Sequence, residues 1–285
     1  MPADRHPSAT AGLRWGALRG VVLDMDGVLW LGNRDLPGLA RLFGVLQRRG
    51  LGYLLATNNT ARTPDQYADR LSRSGVVLAP EQVLTSALIT ASHLARDLGV
   101  GTPVYMVGEE GLHSALTGAG LDVIRGTRLP ARAVVVGFDR HLTYAKLSEA
   151  THHLRLGAEL IGTNGDVTFP SAAGLAPGAG ATLAALEAAG GVKARVMGKP
   201  EPPMFAAAEK LLGVPPAAIA MVGDRLETDI AGAKGAGWRT VLVTTGVDRA
   251  TPWGPETAPD AVVSGLIELA EALAAPPLGQ AVTPD

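Results

Sequence analysis

The chain has 285 residues, 47% hydrophobic and 18% charged, which is ordinary globular usage and enough length for two domains. A formal net charge of −2 gives no basic field for a nucleic acid backbone or an anionic membrane, and 4% aromatic residues is too few for a base-stacking platform. Cysteine is absent, so disulfides, thiolate metal sites and a thiol nucleophile are excluded, and the usage fits a cytoplasmic setting.

Residues 1–19 mix Pro, Ser, Gly and Arg without the apolar run of a signal peptide and read as a flexible extension. From Gly20 onward short β-rich runs alternate with amphipathic stretches of helix length, the pattern of a doubly wound, mainly parallel α/β sheet. Strands are predicted at 20–23, 52–56, 104–107, 133–137, 159–161, 194–197, 219–222, 240–243 and 261–263. Helices are predicted at 64–74, 87–98, 143–156, 180–189 and 203–212. The apolar run 133–138 is far too short for a bilayer, which needs about 20 residues, so no membrane span is expected. Three prolines in 274–285 mark a loose tail.

Four strand ends carry polar residues able to do chemistry. After 20–23 come Asp24, Met25, Asp26 and Gly27, which fit either a crevice-facing carboxylate pair or an Asp-Gly turn. After 52–56 come Thr57, Asn58, Asn59 and Thr60, which offer hydroxyl, amide and backbone donors to phosphate oxygens or cap a helix. Gly198, Lys199 and Pro200 follow 194–197; a phosphate-binding P-loop would need Gly and Ser or Thr where Lys193 and Pro200 stand. After 219–222, Asp224 and Asp229 bracket a turn into a helix and suit either Mg²⁺ or helix capping. All four are expected at the carboxyl edge of one sheet. Jointly they supply a carboxylate nucleophile, a proton-transfer carboxylate, phosphate donors, a lysine and a metal-binding acid.

Other features are set aside. His152 and His153 read as helix residues rather than ligands, and Gly178, Gly180 and Leu183 fail the dinucleotide fingerprint. Gly108 to Gly111 reads as a strand-to-helix turn, and Trp30 fits either packing or substrate contact.

In this order, DMDGVLW, TNN, GKP and GDRLETDI resemble the four motifs of the haloacid dehalogenase-like phosphatases, in the branch that holds the NagD-like, para-nitrophenyl and phosphoglycolate phosphatases. The similarity continues through GFDRHLTYAKL, GTNGDVTFP and PGAGATLAALEAA and covers about residues 20–265. It implies a Mg²⁺-dependent hydrolase of small phosphorylated metabolites that works through an aspartyl-phosphate. Asp24 would be the nucleophile and Asp26 the general acid and base. Gly27, Thr57, Asn58, Asn59 and Lys199 would hold the phosphate. Mg²⁺ would sit on the Asp24 carboxylate, the Asp26 backbone carbonyl and Asp224, with Asp229 beside them. The separation of 141 positions from Asn58 to Lys199 implies a smaller α/β cap inserted at 85–177 into a core formed by 20–84 and 178–273. Asn164 and Asp166 match a cap motif near the catalytic entrance and equally fit an Asn-Gly-Asp turn. A homodimer is plausible for such a family. The alternatives are a phosphotransferase or mutase using the same intermediate, and a phospho-aspartate receiver domain, which would lack an acid at the position of Asp26.

Overall fold

The computed structural model describes residues 12–171, 174–248 and 252–274. The expectations for 1–11 and for 275–285 lie outside them. In chain order the elements are β1 (Gly20–Leu23), β2 (Trp30–Leu31), β3 (Arg34–Asp35), α1 (Leu39–Arg48), β4 (Gly52–Thr57), α2 (Pro64–Arg73), β5 (Val83–Thr85) and α3 (Ser86–Leu98). Then come β6 (Pro103–Val107), α4 (Glu110–Gly118), β7 (Asp122–Ile124), β8 (Ala133–Val136), α5 (Tyr144–Arg155), β9 (Glu159–Gly162), β10 (Thr168–Ser171) and β11 (Gly174–Pro177). The chain continues with α6 (Ala179–Gly190), β12 (Arg195–Val196), α7 (Pro202–Leu212), β13 (Ile219–Gly223), α8 (Ala231–Gly235), β14 (Arg239–Val243), β15 (Ala261–Val263) and α9 (Leu266–Ala274). No helix among the described residues is long and apolar enough to cross a membrane.

The chain divides into two compact units, one made of Met1–Ala56, Arg70–Leu78 and Phe205–Asp285, the other of Thr57–Asp69 and Ala79–Met204. In the first, neighbouring strands follow the order β15-β14-β13-β1-β4, and every pairing is parallel. All four residues of β1 and all five of β13 are buried, as expected of central strands covered on both faces. The helix α1 buries Leu39, Leu42, Phe43, Val45 and Leu46 along one stripe and packs on α9, which buries Leu266, Leu269, Ala270 and Leu273. Gly38 opens α1 at φ +94°, where a Cβ would lie 2.8 Å from Ile267, so both conformation and packing demand glycine. Residues 12–19 pack on the first unit. Leu13 and Leu18 are buried, and the Arg19 N–H donates to the Ala218 carbonyl at 2.9 Å.

The second unit holds its own parallel sheet in the order β12-β9-β8-β6-β7. Alternate residues of its strands face opposite sides. Ala133 and Val135 join a cluster with Ala91 and Leu94 of α3 and Leu112 and Leu116 of α4. Val134 and Val136 join another with Leu154 of α5 and Leu183 and Leu186 of α6. His153 is fully buried there. Its Nδ1 accepts from the Ala131 N–H at 3.3 Å and its Nε2 donates to the Gly126 carbonyl at 2.9 Å, a packed neutral ring with both nitrogens engaged.

One expectation is corrected. The strand that precedes Lys199, β12, pairs with β9 in the second sheet through Arg195↔Ile161 and Val196↔Gly162, so the four motifs do not share one sheet. The second unit, Thr57–Asp69 and Ala79–Met204, contains the whole of 85–177. In that unit α6 packs on α5 and β9, which carries 178–204 with its sheet.

Candidate active site

Strand register places the acidic residues. Leu23 of β1 lies opposite Val222 of β13, and the Asp24 N–H still donates to the Val222 carbonyl at 2.8 Å. Asp24 and Asp224 therefore leave the carboxyl ends of two adjacent parallel strands, where open α/β sheets bind ligands. Asp224 is followed by a π-helical turn, Leu226–Ile230, in which the Ile230 N–H donates to the Arg225 carbonyl five residues back. This wider turn carries Asp229, whose Oδ2 accepts from the Arg225 N–H at 3.2 Å. Asp24, Asp224 and Asp229 are all buried, and each offers a carboxylate oxygen within 4.8 Å of the others.

Glycines let these carboxylates approach the backbone. Gly27 has φ +91°, and a Cβ on it would lie 2.3 Å from Asp224 Oδ2. A Cβ on Gly223 would lie 2.2 Å from the Asp229 Cβ, and one on Gly246 would lie 1.9 Å from Asp224 Oδ2. The loop after β14 closes over Asp224. The Val247 N–H donates to Asp224 Oδ2 at 2.8 Å, and the Asp248 N–H to the Asp224 carbonyl at 3.0 Å. Asp248 Oδ2 in turn accepts from the Leu226 N–H at 2.8 Å, and the Thr245 hydroxyl donates to the Gly27 carbonyl at 2.6 Å.

The second unit gathers another set. Lys199 is 2% exposed, an unusual state for a lysine. Its N–H donates to Asn58 Oδ1 and its carbonyl accepts from Asn58 Nδ2, both at 2.9 Å, so the Asn58 amide forms a two-bond ring with the Lys199 main chain. Asn58 Nδ2 also donates to Asp166 Oδ2 at 3.2 Å. The Asn58 carbonyl accepts from Asn164 Nδ2 at 2.8 Å and from the Ser86 hydroxyl at 3.0 Å. A side chain at Gly198 would strike Asn58 Oδ1 at 2.6 Å and the Thr163 carbonyl at 2.4 Å. Thr57 is buried and its Oγ1 accepts from the Asn59 N–H at 3.1 Å, while Asn59 Oδ1 accepts from the Ala61 N–H at 3.0 Å. Elsewhere in this unit the Arg140 guanidinium bonds Glu109 and holds its carboxyl below the usual carboxylate range.

Comparison with known proteins agrees with this geometry. Residues 21–122 match the family described as haloacid dehalogenase-like hydrolase, and residues 196–269 the one described as HAD-hydrolase-like. The acid sugar phosphatase of Staphylococcus aureus is 38% identical over 226 residues, which is 79% of this chain and 86% of that protein. The chain belongs to the haloacid dehalogenase-like hydrolases. Within that family it is a phosphatase of the NagD-like branch. The crystal structure of 4-nitrophenylphosphatase from Thermotoga maritima superposes with a TM-score of 0.83 at 33% identity, covering 92% of this chain and 99% of that one. Glycerol phosphate phosphatase from Mycobacterium tuberculosis, solved in complex with magnesium, gives 0.82 at 32% identity, covering 95% and 80%.

Against the sequence expectations for a haloacid dehalogenase-like hydrolase, the first unit assembles Asp24, Asp26, Gly27, Asp224 and Asp229, and the second assembles Thr57, Asn58, Asn59, Asn164, Asp166 and Lys199. Both ends of the Asn58 amide are bonded, to Lys199 and to Asp166. Asn164 and Asp166 serve the same tie. Thr245, Gly246, Val247 and Asp248 were not singled out from sequence. The signal available was a TTGVD segment at the carboxyl end of one more apolar strand, β14.

Replacing Asn58 by Ala strips two hydrogen bonds from the buried Lys199 main chain. The expected stability loss is about 1–3 kcal/mol in a denaturant titration, and misplacement of the lysine should lower kcat for phosphate release by about 10²-fold. Unchanged kcat would remove Asn58 from the role of holding Lys199.

Proposed function

We propose that this phosphatase hydrolyses small phosphomonoesters with Mg²⁺, through an aspartyl-phosphate on Asp24. The observation that carries the reading is the buried trio Asp24, Asp224 and Asp229 at two adjacent strand ends, with Asp26 two residues beyond Asp24. Three carboxylates with only oxygen to offer fit a hard divalent cation. Asp24, Asp224 and Asp229 would hold Mg²⁺, which when bound lowers the repulsion between these acids and a phosphate dianion and polarises the phosphoryl oxygens.

The chain's own groups then divide the work. An Asp24 carboxylate oxygen attacks phosphorus, and the bond to the ester oxygen breaks as Asp26 gives that oxygen its proton. Asp26, now a carboxylate, takes a proton from water as the water oxygen attacks phosphorus, the bond to Asp24 breaks and phosphate leaves. Lys199 is assigned the counter-charge of the phosphate, and Thr57 and the backbone of the 57–59 turn are assigned hydrogen-bond donation to its oxygens. Asp26 argues against a signalling domain that must keep its acyl phosphate, because a base at that position speeds hydrolysis.

The relatives' names include sugar, glycerol and nitrophenyl phosphatases, which supports a small phosphomonoester as the substrate class. The test is phosphate release across a panel of sugar, polyol, nucleotide and nitrophenyl phosphates, after chelation with EDTA and after readdition of Mg²⁺. Release that EDTA abolishes and Mg²⁺ restores is expected. Full activity after exhaustive chelation, or no release from any member of the panel, overturns the proposal.

A further inference from the structure

Trp30 is among the largest fully buried side chains, at 1% exposure, yet it stands in a two-stranded flap, β2–β3, four residues after Asp26. The segment between them folds back tightly. Asp26 and Trp30 form an isolated β-bridge, the Gly27 N–H donates to the Trp30 carbonyl at 2.8 Å, and the Leu29 N–H donates to the Met25 carbonyl at 2.8 Å. That turn aims the indole at the carboxyl group, and Trp30 Nε1 donates to Asp26 Oδ1 at 2.9 Å.

The indole is itself held. The Arg70 guanidinium lies 3.9 Å above its ring centroid, and the same guanidinium donates to the Gly32 carbonyl at 2.9 Å and to Asp35 Oδ1 at 3.4 Å. Asp35 is steadied in turn by the Ser74 hydroxyl. A cation over the ring face favours this stacking and draws electron density from the ring, which makes the N–H a better donor. Burying a tryptophan for packing alone requires none of this alignment.

We infer that Trp30, clamped by Arg70, is a positioning residue for Asp26: its indole N–H pins one carboxyl oxygen and fixes the plane in which the other exchanges a proton. The inference rests on the proton-transfer role of Asp26 given above. An indole N–H is a donor with no acceptor capacity, so it can bind the same carboxyl oxygen throughout the cycle without competing for the proton in transit.

The leaving group separates this role from simple packing. An alkoxide needs a proton as it departs, whereas nitrophenolate is stable enough to leave with little help. Trp30→Phe keeps the ring and the stacking surface but removes the N–H. It is expected to lower kcat on glycerol phosphate by about 10- to 100-fold, a fraction of the 10²–10⁴ that general acid catalysis supplies, and kcat on 4-nitrophenyl phosphate by less than about threefold. Asp26→Asn should show the same selectivity more strongly. Arg70→Gln should show it more weakly, without touching Trp30. Equal losses on both substrates, or none on either, would overturn the positioning role while wild-type activity on both leaves the phosphatase reading standing. A wild type inactive on every ester overturns that reading itself. A readout independent of turnover is the indole N–H proton resonance of Trp30, identified by its loss in Trp30→Phe. It should shift in Asp26→Asn, and an unchanged resonance would contradict the hydrogen bond.

Discussion

Asp24→Asn should abolish phosphate release, with a fall of about 10⁴-fold or more, while the protein keeps its fold. The amide has nearly the shape of the carboxylate but no oxygen with the electron density to attack phosphorus. No neighbour offers an equivalent: Asp224 and Asp229 leave from β13 and the turn after it, and Asp26 is held by Trp30. Folding stability should hold or rise, because the change removes one of three buried charges of like sign that lie within 4.8 Å. Thermal melting without metal reads this second half directly. Retained phosphate release at more than a small fraction of the wild-type rate would overturn the nucleophile assignment.

Gly246→Ala should damage the acidic cluster without touching any of its carboxylates. Its Cβ would sit 1.9 Å from Asp224 Oδ2 and 2.5 Å from the Asp224 Cβ, so the whole side chain must move. Retreat is costly, since Oδ2 would give up the Val247 N–H. Residues that orient metal ligands typically account for about 10–100-fold in metal affinity, and a loss of that size is expected in calorimetric titration with Mg²⁺. Gly254→Ala, where a Cβ meets nothing within 4 Å, is the control and should titrate like the wild type. Unaltered Mg²⁺ affinity in Gly246→Ala would mean that Asp224 does not need its observed position.

The strands that carry the acidic residues were legible because β1 and β13 are continuous apolar runs that stop at Asp24 and Gly223, a pattern that needs no knowledge of partners. What a strand pairs with is a non-local fact. β12 is two residues long and half exposed, and the polar segment after it looks like those after β1 and β4, so sequence placed it beside them; its backbone partner is Ile161 in β9. The hairpin β10–β11 left no strand signal, since TFPS and GLAP contain proline and glycine, which are depleted in strands. Residue types raised Asn58 and Lys199 as candidates for the site, but only the hydrogen bonds between them show that one holds the other. Composition does not separate a phosphate contact from a main-chain tie at Asn58, because the same amide atoms serve either purpose. The π-helical turn at 226–230 was likewise silent, as its six-residue hydrogen-bonded span leaves no periodicity to read.

The ring of hydrogen bonds between Asn58 and Lys199 also orders events during folding. It closes 141 residues of chain, a separation for which loop closure alone costs about 4 kcal/mol in a flexible polymer. Two hydrogen bonds, worth about 1 kcal/mol each, cannot offset that in an unstructured chain. The parallel strands β6, β8 and β9 must first draw the ends together, and β12 must dock on β9, before the amide meets its peptide. The lysine thus reaches its place only once β12 has docked on β9.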